Sequence, residues 1–395
     1  MLSLQDSLTK LNSLTVFVCA LCAGFLFVTG SHIPKYILLL LCLLLIVQKV
    51  LNKQFSSSHI QGYFSFISPW IPWFVSFLVL IFFFGGVPKD IEFFNAFLLM
   101  SVVFVAIYPN TPSRQFVIKS ISLSLLIACL AICVQVVTYG FDGASVIGAN
   151  KNKVLGITSV LTACCVGSLL MEGQLYNKQE KILIIVSSIV SLTSIIVAEV
   201  RTAILPFLAL IPFVLIYRKE NRFRNAGIFL LIALVLLFLS FMTGRMQQGL
   251  SDLQQYSSGN SYSSWGIRIE LWKLALTAFW DAPFFGWGSE PYENMVQAGY
   301  TFCVSNFHPE HFHCDFLNAL TIGGLFEIFC WLATIIILVI KSWKDPAKMC
   351  LLVALMAVCL TDRYWFYRTT LFAFVTAWTL LFLSHPKQQS LLEND

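Results

Sequence analysis

Long unbroken apolar runs, separated by short polar connections, set the pattern of this chain. An alternation with period two, the mark of a half-buried strand, is absent from it. Twelve apolar segments can be placed, centred on residues 14–29, 36–51, 70–84, 91–108, 116–139, 154–171, 182–198, 203–217, 226–242, 316–340, 349–360 and 371–383. Crossing a hydrocarbon core takes about 20 apolar residues as a helix. Backbone groups in lipid must bond internally, so runs of this kind predict helices rather than barrel strands. The expected fold is an all-α integral membrane protein with about 12 transmembrane helices.

One connection breaks the pattern. Residues 244–313 are too long and too polar for a turn and form one large loop between the ninth and tenth segments. The chain therefore divides into residues 1–243 with nine spans, the loop 244–313 with amphipathic helices, and residues 314–395 with three spans and a short tail. The first run follows a polar stretch with Lys10 and could pass for a signal peptide. With eleven more runs behind it, an uncleaved first span is the simpler expectation.

Composition agrees with a chain that lives in lipid: 58% hydrophobic and 11% charged residues, with a mean hydropathy of +0.80. The net charge of +5 is spread over short connections, with no dense basic run, which excludes nucleic acid as a partner. Most of the twelve cysteines lie inside apolar runs and read as small buried hydrophobes. Cys303 and Cys314 flank the end of the loop and are placed to pair in an oxidising compartment. With the amino terminus inside, fifteen of the 25 Lys and Arg fall on inside connections, which puts both termini in the cytoplasm. That orientation places Arg201, Arg268, His313, Asp362 and Arg368 on one outer face.

Arg201, in EVRTAILPF, is flanked by apolar sequence, where a charge costs about 2.5 to 3.5 kcal/mol on insertion scales. It is either a functional cation or, with Glu199, a boundary charge reaching for the interface. In the loop, GIRIELWKLALTAFW (266–280) predicts a helix with Ser263 or Ser264 placed to cap it, ended by Asp281-Ala282-Pro283. A tight turn at Gly286-Trp287-Gly288 follows. Arg268 in the first turn opposes the helix dipole, which makes sense beside a phosphate. The alternative is an interfacial helix whose Arg268 and Lys273 face lipid headgroups.

The loop ends in HPEHFHCD, with His308, His311 and His313. Its spacing matches no zinc signature, and Pro309 interrupts the helix that would align ligands, so no metal is expected. A histidine is the switchable base near neutral pH and suits proton abstraction from a sugar hydroxyl. A histidine that merely caps the next helix is the other reading for any one of the three. Asp362 and Arg368 lie six apart around Tyr364, Trp365, Phe366 and Tyr367 and could simply mark an aromatic boundary.

With these residues in view, the chain resembles the O-antigen ligases, within the wider O-antigen ligase and polymerase superfamily of polytopic glycosyltransferases. The likeness lies in the order of spans, the large loop between the ninth and tenth, and His313, Leu317, Gly323 and Gly324 in HCDFLNALTIGG. Arg201 is similar to the family's arginine at the start of a span, and Arg268 to the arginine of its loop helix. Asp362 matches an acidic position in the penultimate outer connection, with Arg368 near it. The family often has Asn, Ser or Gln after its histidine, where this chain has Cys314.

The resemblance implies a Gram-negative inner-membrane enzyme that transfers O-polysaccharide from undecaprenyl pyrophosphate to an outer-core sugar of lipid A-core, without metal or cofactor and with inversion. His313 would be the base, Arg201 and Arg268 would hold the pyrophosphate, and Asp362, Arg368 and His311 would support them. The loop would act as a lid completed by other outer connections, and apolar grooves would hold the lipid tails. An O-antigen polymerase, with a lipid-linked acceptor, is the nearest alternative. A flippase or secondary transporter is a rival from another class, though transporters place their charges near the midplane of their spans.

Overall fold

The computed structural model describes residues 2–24, 33–52, 54–55, 57–84, 88–139, 145–146, 149–217, 220–302, 309 and 311–384. Among these the chain is helical, apart from a hairpin of two-residue strands, β1 (Ser145–Val146) and β2 (Ala149–Asn150). The first helices are α1 (Leu2–Gly24), α2 (Ile33–Leu51), α3 (Ser57–Ile67), α4 (Ile71–Phe84), α5 (Pro88–Ile107) and α6 (Arg114–Tyr139). Then come α7 (Lys151–Met171), α8 (Lys178–Val197), α9 (Leu205–Tyr217) and α10 (Arg222–Met242). The loop region holds α11 (Arg245–Ser257), α12 (Ser264–Phe279) and α13 (Pro291–Gln297), and the chain closes with α14 (Asp315–Ser342), α15 (Pro346–Cys359) and α16 (Arg368–Leu383).

Each of the twelve apolar segments overlaps a helix, the first running past Gly24 beyond the described residues. Among the described residues, six helical stretches can cross a membrane by length and composition: Ser57–Phe84, Arg114–Thr138, Lys151–Met171, Lys178–Val197, Arg222–Met242 and Asp315–Ser342. Other apolar helices are shorter, among them the eighth segment, Arg201–Tyr217, where a 3-10 turn (Arg201–Ile204) precedes α9. The first stretch is likewise stepped, because Pro69 starts a 3-10 turn between α3 and α4.

α7 is the central helix, with every residue from Lys153 to Ser168 buried. Its sequence explains this: Gly156, Ser159, Ala163, Gly167 and Ser168 are small, so neighbouring side chains, Tyr364 at Gly156 and Cys350 at Gly167, press directly against the helix. Thr162 and Ser191 share a hydroxyl hydrogen bond of 2.6 Å between α7 and α8. Asn150 caps α7, its side chain accepting from the amides of Asn152 and Lys153. The cap fixes Lys153 in the first turn, at the end of the bundle where the loop lies.

The loop is stitched into the bundle through a break in α14. Gly324 has φ 62 and ψ −149, which interrupts the helix. The carbonyls of Thr321 and Ile322 accept from the amides of Trp287 and Gly288 at 2.7 and 2.9 Å. In exchange, the amides of Leu325 and Phe326 donate to the carbonyls of Pro283 and Phe284 at 2.8 and 3.1 Å. Four helix groups are thus satisfied by the Pro283–Gly288 segment instead of by one another. A Cβ at Gly286 would lie 2.6 Å from the Thr321 carbonyl oxygen, and one at Gly324 would lie 2.5 Å from that of Pro283. Both glycines have positive φ, so the contact needs glycine on each side.

Candidate active site

Ser263 caps α12, its hydroxyl accepting from the amide of Gly266 at 3.1 Å, so the loop helix forms where the sequence placed it. Trp272 on α12 donates its indole N–H to the carbonyl of Phe312 at 3.0 Å. The Phe312 amide in turn donates to Asn318 on α14 at 3.0 Å. The segment carrying His311 and His313 is therefore held between α12 and α14. His313 adopts φ 50, a left-handed conformation uncommon for a side chain of this size. Its neighbours hold it there.

Asp315, two residues further, accepts from the amides of Tyr364 and Trp365, both at 2.7 Å, and from that of Phe366 at 3.3 Å. Fully buried, this carboxylate fixes the 362–366 turn to the start of α14. Asp362 is the result of that turn. One of its oxygens, Oδ1, lies 2.6 Å from Nζ of Lys153, 3.1 Å from Nε2 of His311 and 3.2 Å from Nδ1 of His313. The same oxygen accepts from the amide of Arg363 at 2.8 Å. Far from marking a solvated boundary, Asp362 is buried and surrounded by donors.

The donors settle the protonation pattern. An ionised carboxylate can only accept, so both contacting ring nitrogens carry hydrogen. Neutral His311 then keeps its lone pair on Nδ1, and neutral His313 keeps its lone pair on Nε2. The rings stand 4.4 Å apart at 57°, with side chains 16% and 22% exposed, whereas Lys153 and Asp362 are each 3% exposed. Burial pushes the His311 imidazole down to about 4, and the charge of Lys153 adds to this against the hydrogen bond that His311 donates to Asp362. For Asp362, burial works upward, but Lys153 and the two histidines hold the carboxyl well below its usual range. The site rests on a Lys153–Asp362 ion pair with a neutral His311 beside it.

The two arginines lie at the loop helices α11 and α12. A Cβ at Gly249 on α11 would lie 2.4 Å from Nη1 of Arg201 and 3.7 Å from Nε1 of Trp265, so guanidinium and indole meet at this glycine. The Arg268 guanidinium lies over the same Trp265 ring, 5.7 Å from its centre. Arg268 also reaches the 362–367 turn electrostatically. Burial and the Asp362 carboxylate push the Tyr364 phenol well up, and Arg268 acts against them. Arg368 is different: it is exposed at the first residue of α16.

His311, His313 and Asp362 bring one ligand atom each within 4.8 Å of one another, the spacing of a metal site. The donor set argues for protons instead, since the Asp362 oxygen in that trio already holds the Lys153 ammonium, and a divalent cation would sit against it. His308, Glu310 and Cys303 lie outside the described residues, so the expected Cys303–Cys314 pairing does too.

Of the residues singled out in sequence, the structure joins His311 and His313 to Asp362, sets Arg201 at Gly249 and Arg268 over Trp265, and leaves Arg368 exposed. Sequence reading missed Lys153, Asp315 and Gly249. Lys153 carried one signal, a basic residue at the apolar start of a span; Asp315 was read only as a possible zinc ligand.

Residues 186–332 match the O-antigen ligase family model. That stretch contains Arg201, Arg268, His311 and His313 and stops short of Lys153 and Asp362 on either side. The chain is also 23% identical over 228 residues to the O-antigen ligase of Escherichia coli (strain K12), covering 54% of each chain. The match thus spans about half the length of that relative. Both matches are likenesses over part of this membrane protein: to the O-antigen ligase family model and to one O-antigen ligase.

Proposed function

We propose that the protein is an O-antigen ligase of the Gram-negative inner membrane. It transfers O-polysaccharide from undecaprenyl pyrophosphate to an outer-core sugar of lipid A-core at the periplasmic face. The observation that carries this reading is the Lys153–Asp362–His313 contact, which leaves Nε2 of His313 to accept a proton, with Arg201 and Arg268 set at the neighbouring loop helices. It is the equipment for deprotonating a hydroxyl next to a departing phosphate.

Nε2 of His313 takes the proton of the acceptor hydroxyl, worth about 10²- to 10⁴-fold in rate. The oxygen forms its bond to the anomeric carbon on the face opposite the pyrophosphate, whose C–O bond breaks with the electron pair. Inversion follows from that geometry. Arg201 and Arg268 hold the charge that develops on the leaving group, at a site sheltered by the loop. The imidazolium formed at His313 is stabilised through its Nδ1–H by Asp362, and its proton then passes to solvent. His311 shares the Asp362 oxygen and keeps the carboxylate turned toward the pair. No step calls for a metal.

In this reading residues 1–243 and 314–395 form the membrane body, both termini are cytoplasmic, and residues 244–313 are a periplasmic lid. The donor and acceptor lipids enter from the bilayer. The test is the lipopolysaccharide banding of the native host lacking its own copy and complemented with His313→Ala. The expected result is loss of the ladder, with polymer accumulating on its lipid carrier and the protein still inserted. A ladder with His313→Ala overturns the mechanism. Carrier-linked glycan only one repeat long assigns the chain to polymerisation instead.

A further inference from the structure

We infer that Lys153 is a positioning residue for this site: its ammonium neutralises Asp362, so that carboxylate orients both rings without drawing a second proton onto His311. The inference deepens the ligase reading and rests on it for its activity arm alone.

The geometry is specific. Nζ of Lys153 donates to the Arg363 carbonyl at 2.8 Å and lies over the rings of Tyr364 and Tyr367, 5.1 and 5.3 Å from their centres. Asn150 holds its backbone at the capped end of α7. The ammonium therefore has one place to go, against Asp362 Oδ1 at 2.6 Å, with both side chains buried. A bare carboxylate at hydrogen-bond distance from an imidazole favours the protonated ring, by about one to three units for a close opposite charge. With Lys153 in contact, the pair presents to the rings as a dipole of no net charge. Asp362 still orients them, but it no longer draws a second proton onto them.

Other charges near Asp362 do not replace this. Asp315 of α14 has its oxygens filled by three backbone amides and lies beside the Cys359 thiol of α15. Arg363 turns its Nε to the Phe366 carbonyl. Arg268 of α12 acts on Tyr364 from its stack on Trp265. The ion pair with the carboxylate is made by Lys153.

The test follows His311 without using activity. Carbethoxylation by diethyl pyrocarbonate needs a neutral imidazole, so its pH dependence on the purified full chain, read by peptide mass spectrometry, gives the titration midpoint. Lys153→Met raises that midpoint by about one pH unit. Lys153→Arg leaves it unchanged, and Lys153→Met combined with Asp362→Asn returns it to within about half a unit of wild type. An unchanged midpoint in Lys153→Met overturns the inference. If that variant does not accumulate, Asp362→Asn and the double variant decide: the midpoint rises when Lys153 is removed in the presence of Asp362→Asn, and equal midpoints overturn it. A purely structural lysine would alter yield and leave the midpoint in place. In the activity arm, the acid limb of transfer from undecaprenyl-pyrophosphate-linked polysaccharide to lipid A-core moves up with the midpoint in Lys153→Met. A wild-type protein that shows the titration but no transfer sinks the ligase reading and leaves the role of Lys153 standing.

Discussion

The two ends of α7 each carry a cation–carboxylate cluster, buried at the Lys153 end and partly buried at the other, about 30 Å apart along the helix. At the far end, Arg114 of α6 meets Asp345 at 2.5 Å, Lys348 meets the same carboxylate at 3.1 Å, and Ser168 donates to Glu172 at 2.7 Å. Burial works upward on Asp345, and Arg114 and Lys348 still hold it below the usual range. Asp345 is also the cap of α15, accepting from the Lys348 amide. Arginine, lysine and backbone amide are permanent donors near neutral pH, and none offers a lone pair. That cluster locks α6, α7 and α15 together. At the Lys153 end, by contrast, two of the carboxylate's donors are histidines, each with a second nitrogen left to accept. A buried ion pair is structural by default; a titratable partner with an open lone pair beside it makes chemistry possible.

The largest expected effect tests that contrast directly. His313→Ala and Arg268→Ala each reduce transfer by at least about 100-fold in membranes containing normal amounts of protein. Arg114→Met, at the far end, lowers the yield of folded protein, and what inserts still transfers. Equal loss of specific transfer at both ends would erase the distinction between them.

Stability sharpens it next. Arg114→Met leaves Asp345 with Lys348 alone and costs about 3 kcal/mol in detergent unfolding, the low end for breaking a buried pair, whereas Arg114→Met with Asp345→Asn recovers most of it. The two changes adding without recovery would show that the cluster is not a pair.

His311 gives a pH-dependent difference. Its folded value of about 4 lies below the ordinary 6.5, so folding excludes a proton, and the neutral form's stability is lost as pH falls from about 6.5 toward 4. The loss is on the order of 3 kcal/mol and disappears in His311→Asn. Thermal unfolding of both proteins across that window checks it, and parallel curves would contradict the buried neutral ring.

The smallest effect concerns the seam between loop and bundle. Gly324→Ala or Gly286→Ala drives a Cβ into an opposing carbonyl oxygen, so the loop must lift. Each costs about 1–3 kcal/mol, with faster proteolysis within residues 283–300. Unchanged cleavage would mean that the loop docks without this contact.

Much of this was legible in the chain. The apolar runs gave the helices, and SSWGIRIELW gave α12 with its Ser263 cap, because both signals are local in sequence. The histidine pair and Asp362 could be named as candidates from residue type alone. What could not be read was which polar group lay under which. Lys153 is 209 residues from Asp362, and nothing near it in sequence distinguishes it from Lys151. Asp315 resembled a ligand in HPEHFHCD, yet its oxygens cap a turn some fifty residues away.

The sequence by itself determined a helical membrane protein with one outsized loop and a short roster of arginines, histidines and acids. Periodicity and residue chemistry act within a turn or a span. Tertiary structure alone decided that Asp362 is buried against Lys153 and both histidines, and that Gly286 and Gly324 join loop to helix. Those contacts depend on close approach between distant segments, where the absence of a Cβ or the reach of one ammonium settles the outcome.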